Sequence, residues 1–349
     1  MVNQKDGRMR KLWTTMALMV LLGTSLFVPG WAWSGQLENG FAVEKILGGQ
    51  ATDIRNWPWI VALLHAGVDD PFQAQFCGGT LLSGEWVVTA AHCVTDRSGA
   101  LAYAPADLHI LSGRTDLRGD GGDRIPVAQI VVHPQYNPNT NESDLALLQL
   151  ARQPVAGTTW GALPLVPPGD PAGLASPGVP SWVAGWGSLG PGRGFPNVLQ
   201  EAQFPIVSQV ALILAYPPPF FVISDNMIGA GPGDGTRDTC QGDSGGPMIV
   251  RDGEGNAFLA GVTSWGLQCG TPGIYGVYVR MANYCGWVKG ISGVGDCGGD
   301  GGGGGCTVAS SRGFGGDWLI LMGFAAAWVV WRRLGGKRPS SPETAVDLR

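Results

Sequence analysis

Asp238-Thr-Cys-Gln-Gly-Asp-Ser-Gly-Gly-Pro247 is the stretch on which the reading of this chain turns. It sets one serine, Ser244, in a glycine-rich turn beside an acid, Asp243. A serine hydroxyl is a weak nucleophile until a base is held against it. Upstream, Thr89-Ala-Ala-His-Cys93 offers that base in His92. Between the two, Ser143-Asp-Leu-Ala-Leu-Leu148 places a carboxylate, Asp144, at the head of an apolar run. A carboxylate, an imidazole and a hydroxyl can act in series as orienting group, proton shuttle and nucleophile. Read singly, Asp144 would cap a turn and Ser244 would sit in an ordinary loop. The other histidines, His65, His109 and His133, carry no such context and read as surface or satisfied core residues.

Composition narrows the rest. The chain has 349 residues, of which 14% are charged, with a net charge of -5, and it shows no dense basic cluster. That excludes nucleic acid as a partner. With 57 glycines and 25 prolines, the chain suits frequent turns between short strands better than long helices. Short β-like runs are read at Trp59 to His65, Glu85 to Thr89, Leu108 to Ser112, Ile125 to His133, Leu145 to Leu150, Trp182 to Gly185, Pro247 to Val250 and Phe258 to Ser264. Lys5, Arg8, Arg10 and Lys11 precede an uncharged apolar run from Leu12 to Val28, so residues 1–34 are expected to be a signal peptide, with an uncleaved anchor as the alternative. Either puts the following domain outside the cytoplasm, where disulfides persist. The seven cysteines leave at least one unpaired or modified.

In these three motifs, in the order His, Asp, Ser, the chain resembles the trypsin-like serine peptidases of the chymotrypsin family. The resemblance runs from about Ile46 to about Ile291. It implies an all-β fold of two antiparallel six-stranded barrels with a C-terminal helix at Ala282 to Ile291 and a catalytic cleft between the barrels. The halves are expected to meet near residues 155 to 180. It implies catalytic roles for His92, Asp144 and Ser244, an oxyanion hole from the backbone N–H groups of Gly242 and Ser244, and no cofactor or metal. Asp238, six residues before Ser244, falls where the family places the base of the specificity pocket, and an acid there selects Arg or Lys at the cleaved bond. Ser264, Trp265 and Gly266 match the substrate-aligning segment, with Ser264 also in reach of Asp144, and Gly273 matches a pocket-wall glycine. The pairs Cys77 with Cys93 and Cys240 with Cys269 match family disulfides. A further family bridge is missing, because Gly229 stands where one of its cysteines would be.

The resemblance also implies a zymogen. Lys45-Ile46-Leu-Gly-Gly49 is close to the family's activation junction, and residues 35–45 read as a short propeptide. Cleavage after Lys45 would free the Ile46 ammonium to pair with Asp243. The peptidase domain is read as 46–292, followed by a glycine-rich linker at 293–312 that contains Cys306. An apolar segment at 313–334, centred on Trp318 to Trp331 and closed by Arg332 and Arg333, precedes a cytoplasmic tail at 335–349. Spacer, cysteine, apolar segment and arginines resemble the C-terminal sorting signals of Gram-negative surface proteins, with a plain tail anchor as the alternative. Cys285 and Cys297 are close enough in sequence to pair, which leaves Cys306 as the odd cysteine. Asp116 to Asp123 reads as a solvated acidic loop, with calcium binding as the alternative, and Asn141-Glu-Ser143 is a glycosylation sequon. The expected partners are protein or peptide substrates, an activating protease and a membrane reached through the C-terminal segment. A noncatalytic surface binding module on a peptidase scaffold is the alternative function.

Overall fold

The computed structural model describes residues 47–295. Residues 1–34, where a signal peptide is expected, together with Lys45, Ile46, Cys297, Cys306 and the Trp318 to Trp331 segment, lie outside the described residues. A two-residue strand, β1 (Gln50–Ala51), comes first. Six strands then form a closed barrel: β2 (Ile60–His65), β3 (Gln75–Leu81), β4 (Trp86–Thr89), β5 (Leu108–Ser112), β6 (Asp123–Val132) and β7 (Ala146–Leu150). Their order around the barrel is β2-β3-β4-β7-β6-β5. A one-turn helix, α1 (Pro71–Ala74), leads directly into β3, with Asp70 capping its Phe72 N–H.

The second half is a sheet of seven strands rather than six. Its own strands are β8 (Pro180–Gly185), β9 (Gln200–Pro205), β10 (Met227–Ala230), β11 (Pro247–Arg251), β12 (Ala257–Trp265) and β13 (Gly276–Arg280), and β1 adds an edge beside β9. The sheet bends back on itself beyond β9. Ile206 bridges Ala230, the Val207 N–H donates to the Gly229 carbonyl at 2.9 Å, and the Gly231 N–H donates to the Pro205 carbonyl at 3.0 Å. Two helices complete the fold, α2 (Gln209–Ala215) and the C-terminal α3 (Cys285–Ser292). The helix expected from Ala282 is split: Met281–Asn283 is a separate 3₁₀ turn.

Burial explains the barrel better than alternation does. Ile60, Val61, Ala62, Leu63 and Leu64 of β2 are all at 0% exposure, so this strand is buried on both faces. β9 alternates instead, with Gln200, Ala202 and Phe204 inward and Gln203 and Pro205 outward. β3 carries two glycines because its neighbours leave no room. A Cβ at Gly79 would come within 2.8 Å of the Val87 Cγ1, and one at Gly78 within 3.1 Å of the Gly246 Cα. One apolar cluster runs from the first barrel through Ala184, Trp186, Leu199, Ile249 and Leu259, so the two halves share a core.

The missing bridge is compensated by packing. A Cβ at Gly229 would lie 2.6 Å from Leu212 Cδ1 and 2.8 Å from Val207 Cγ2, so these side chains occupy the space over that glycine. Leu212 is fully buried and anchors α2 there. Replacing Leu212 by Ala is expected to cost about 2–4 kcal/mol through lost transfer energy and a residual cavity. Thermal melts of the two proteins check this. An unchanged melting temperature would show that α2 is not held by that contact.

Candidate active site

Strand register brings two of the candidate residues together. His92 lies in the 3₁₀ turn Ala91–Cys93 just after β4, and Asp144 lies just before β7. β4 and β7 pair with Thr89 opposite Ala146, so the end of one strand faces the start of the other. Asp144 is fully buried. One of its oxygens accepts the His92 backbone N–H at 2.8 Å. The other lies 2.8 Å from His92 Nδ1 and accepts the Ser264 hydroxyl at 2.5 Å. Ser143, just before it, has φ 53° and its hydroxyl is 3.0 Å from the Tyr284 hydroxyl.

The electrostatics fix the tautomer. Burial of Asp144 favours the neutral acid, but the His92 charge and the hydrogen bonds from His92 and Ser264 hold it below the ordinary carboxylate value. An ionised carboxylate only accepts, so His92 Nδ1 carries the proton and Nε2 is left free as a base. Burial of His92 disfavours the imidazolium, yet the Asp144 charge and hydrogen bond outweigh it and raise the His92 pKa above its usual value. The His92 side chain stays 32% exposed and within reach of solvent.

Ser244 belongs to the loop before β11. Its carbonyl accepts the Gly78 N–H at 2.7 Å, and Cys93 Sγ lies 3.7 Å from the same oxygen and 3.9 Å from His92 Nε2. Among the described residues no hydrogen bond joins the Ser244 hydroxyl to His92. The N–H groups of Gly242 and Ser244 also donate to no acceptor among the described residues. Two unengaged backbone donors beside a hydroxyl can receive an anionic oxygen.

Ser244 opens into a cavity of about 180 Å³ that is also lined by Asp238, Thr263, Ser264, Trp265, Gly266 and Gly276. Asp238 is 8% exposed, and the Gly270 N–H donates to it at 3.1 Å. Burial raises its pKa to about 6, against hydrogen bonds from Gly270 and Thr239. Gly273 is not in this wall. Its N–H donates to the Gly233 carbonyl, a Cβ there would meet open space, and Gly276 takes the wall position instead. The run Gly273-Ile-Tyr-Gly offers two candidate glycines, and only the fold separates them.

The family model described as Trypsin matches residues 46–288. The chain belongs to the trypsin family. It is 36% identical over 264 residues to mannan-binding lectin serine protease 1 of Homo sapiens, covering 72% of this chain and 36% of that relative. It is 33% identical over 247 residues to anionic trypsin of Canis lupus familiaris, covering 70% of this chain and 89% of that protein. Kallikrein-14 of Homo sapiens is 35% identical over 281 residues, with 79% and 94% covered. The chain thus spans about a third of the length of the mannan-binding lectin relative and most of the length of the smaller two.

Within this trypsin-family chain, Cys77 is bonded to Cys93 and Cys240 to Cys269. Cys285 also stands in a disulfide. Cys77, His92 and Cys93 bring ligand-type atoms within 4.8 Å of one another, but both sulfurs are joined in the disulfide and offer no thiolate to a metal. In the acidic loop, Asp123 is engaged by Arg152 at 2.6 and 2.7 Å, and Asp116 accepts from Asn197 at 2.8 Å.

Asp243 is 1% exposed and accepts the Gly187 N–H at 2.9 Å and the Cys240 N–H at 3.0 Å. Gly185 and Gly187 form its cradle: a Cβ on either would fall within 2.6 Å of the carboxylate. This pair went unnoticed in the sequence, although Gly185-Trp-Gly187 marks it. Burial raises the Asp243 pKa to about 7, and no cation faces it among the described residues. Lys45 and Ile46 lie outside them, and Leu47, the next residue, packs against the Gly190 and Gly270 loops.

Proposed function

We propose that the chain is an exported serine endopeptidase that cleaves after Arg or Lys and is made as a zymogen. The observation that carries this reading is the Asp144–His92 pair at 2.8 Å beside a cavity lined by both Ser244 and buried Asp238. In the reaction, the Ser244 oxygen attacks the peptide carbonyl while its proton passes to His92 Nε2. Asp144 stabilises the imidazolium that forms, and the N–H groups of Gly242 and Ser244 receive the oxyanion. His92 then protonates the leaving amine, and water repeats the sequence on the acyl-enzyme. Ser264 steadies Asp144 and, with Trp265 and Gly266, aligns the substrate. No step calls for a cofactor.

Specificity follows from Asp238. A buried carboxylate favours a cationic side chain and penalises an apolar one. Activation follows from Asp243, whose buried charge has a natural partner in an ammonium at Ile46. The cysteine bonds support an oxidising compartment. Attachment to the cell surface through the Trp318 to Trp331 segment is part of the same reading. Among the described residues no helix is long and apolar enough to cross a membrane.

Two expectations test the proposal. Peptide libraries should be cut after Arg and Lys, with KM rising as the pH falls through about 6 and Asp238 takes up a proton. Asp238→Ser should lower kcat/KM on basic substrates by about a thousandfold, about 4 kcal/mol. A wild-type preference for Phe or Leu would refute the specificity. Second, Lys45→Gln should give an inactive precursor. Asp243 without its ammonium keeps a raised folded pKa, so the folded precursor binds more protons than the unfolded chain. Its stability should then fall as the pH rises from about 4 to about 7, and cleaved enzyme should not show this loss. Full activity with the Lys45–Ile46 bond intact would end the zymogen reading.

A further inference from the structure

One polar contact crosses from the first barrel to the serine loop and has no place in the chemistry above. The Gln75 side-chain amide donates to the Gly242 carbonyl at 2.9 Å, across a sequence separation of 167. The same nitrogen lies 3.3 Å from the Cys77 carbonyl. Both neighbours are carbonyl oxygens, so the amide can only present its NH₂ to them. Gln75 is itself well held. It opens β3, its N–H caps α1 through the Pro71 carbonyl, it pairs with Leu64, and Cys77 two residues on is disulfide-bonded.

Gly242 needs such a clamp. Its φ is +94°, and a Cβ would lie 3.1 Å from the Gly187 Cα and 3.3 Å from the Phe195 ring, so a glycine is required. Glycine alone fixes no conformation. The peptide plane before it is held because the Gln241 carbonyl accepts the Ser188 N–H at 2.7 Å. The plane after it is held at one end by the Asp243 N–H donating to Cys240 at 3.1 Å and at the other by Gln75. In a trans peptide the carbonyl and the N–H point oppositely, so the tied Gln241 carbonyl sets the direction of the Gly242 N–H. The tied Gly242 carbonyl fixes the next plane and so limits rotation about the Gly242 Cα that would turn that N–H away.

We propose that Gln75 is a positioning residue that aims the Gly242 N–H at the developing oxyanion by holding the Gly242 carbonyl from the opposite barrel. The proposal rests on the peptidase reading and refines it. Gln75 touches no reacting atom. It acts through the Gly242–Asp243 peptide, and so bears on the tetrahedral state more than on substrate binding.

The test compares wild type, Gln75→Leu and Gln75→His, each as the full chain cleaved after Lys45. Gln75→Leu keeps bulk but has no donor, and Gln75→His restores one. Kinetics use the peptide amide that wild type cleaves fastest. Binding is measured for a peptide boronate, which forms a tetrahedral adduct on serine, and for benzamidine, which fills the specificity pocket without one. Gln75→Leu is expected to lower kcat by about tenfold to a hundredfold, below the loss for deleting an oxyanion donor, with KM little changed. Boronate affinity should fall by a similar factor, benzamidine affinity should hold, and Gln75→His should recover most of kcat. Unchanged kcat and boronate affinity in Gln75→Leu would overturn the proposal. Equal losses for boronate and benzamidine would overturn it too, because they signal general packing. Absence of wild-type activity on every peptide would instead remove the peptidase reading. Failure of benzamidine to bind wild type would remove only the role given to Asp238.

Discussion

The Gly78 N–H donates to the Ser244 carbonyl at 2.7 Å, and this contact joins the two halves at the candidate site. It requires backbone to approach backbone. Gly78 and Gly246 permit that approach, since a Cβ on Gly78 would sit 3.1 Å from the Gly246 Cα. Around it, Thr89 donates to the Gly78 carbonyl at 2.8 Å, and the Gly245 N–H donates to Thr263 at 2.8 Å. The Cys77–Cys93 bond then ties β3 to the turn that carries His92. Base and candidate nucleophile thus hang on one short stretch of β3. Gln75, at the head of the same strand, extends the connection to Gly242.

Three buried carboxylates surround this junction, and each meets the cost of burial differently. Asp144 is offset by His92 and three hydrogen bonds and stays below the ordinary value. Asp238 has backbone donors and lines an open cavity, and burial raises its pKa to about 6. Asp243 has backbone donors but no cation among the described residues, and its pKa is pushed up to about 7. Both acids therefore keep raised pKa values, and under the proposed function a basic substrate side chain and a new amino terminus would be the cations that offset them.

Much of this was legible because the site motifs are contiguous. His92, Asp144 and Ser244 each sit in a long motif, and the strands after two of them are plain apolar runs. Strands β3, β9, β10 and β13 were not legible. β3 is interrupted by the glycines needed for close packing, β9 is half polar because one face meets solvent, β10 has only four residues, and β13 follows a glycine-rich loop that hid its start. The same loop misassigned the pocket wall to Gly273 in place of Gly276. Gln75 acts across a sequence separation of 167, and nothing in its local sequence announces that.

The central claim is that Ser244 is a nucleophile activated by His92. The most direct measurement is labelling of the cleaved protein with a fluorophosphonate, followed by mass mapping of the adduct, in wild type and in His92→Ala. The account predicts one adduct on Ser244 that forms rapidly in wild type and is lost in His92→Ala. No adduct on Ser244, or an adduct that forms equally fast without His92, would contradict it.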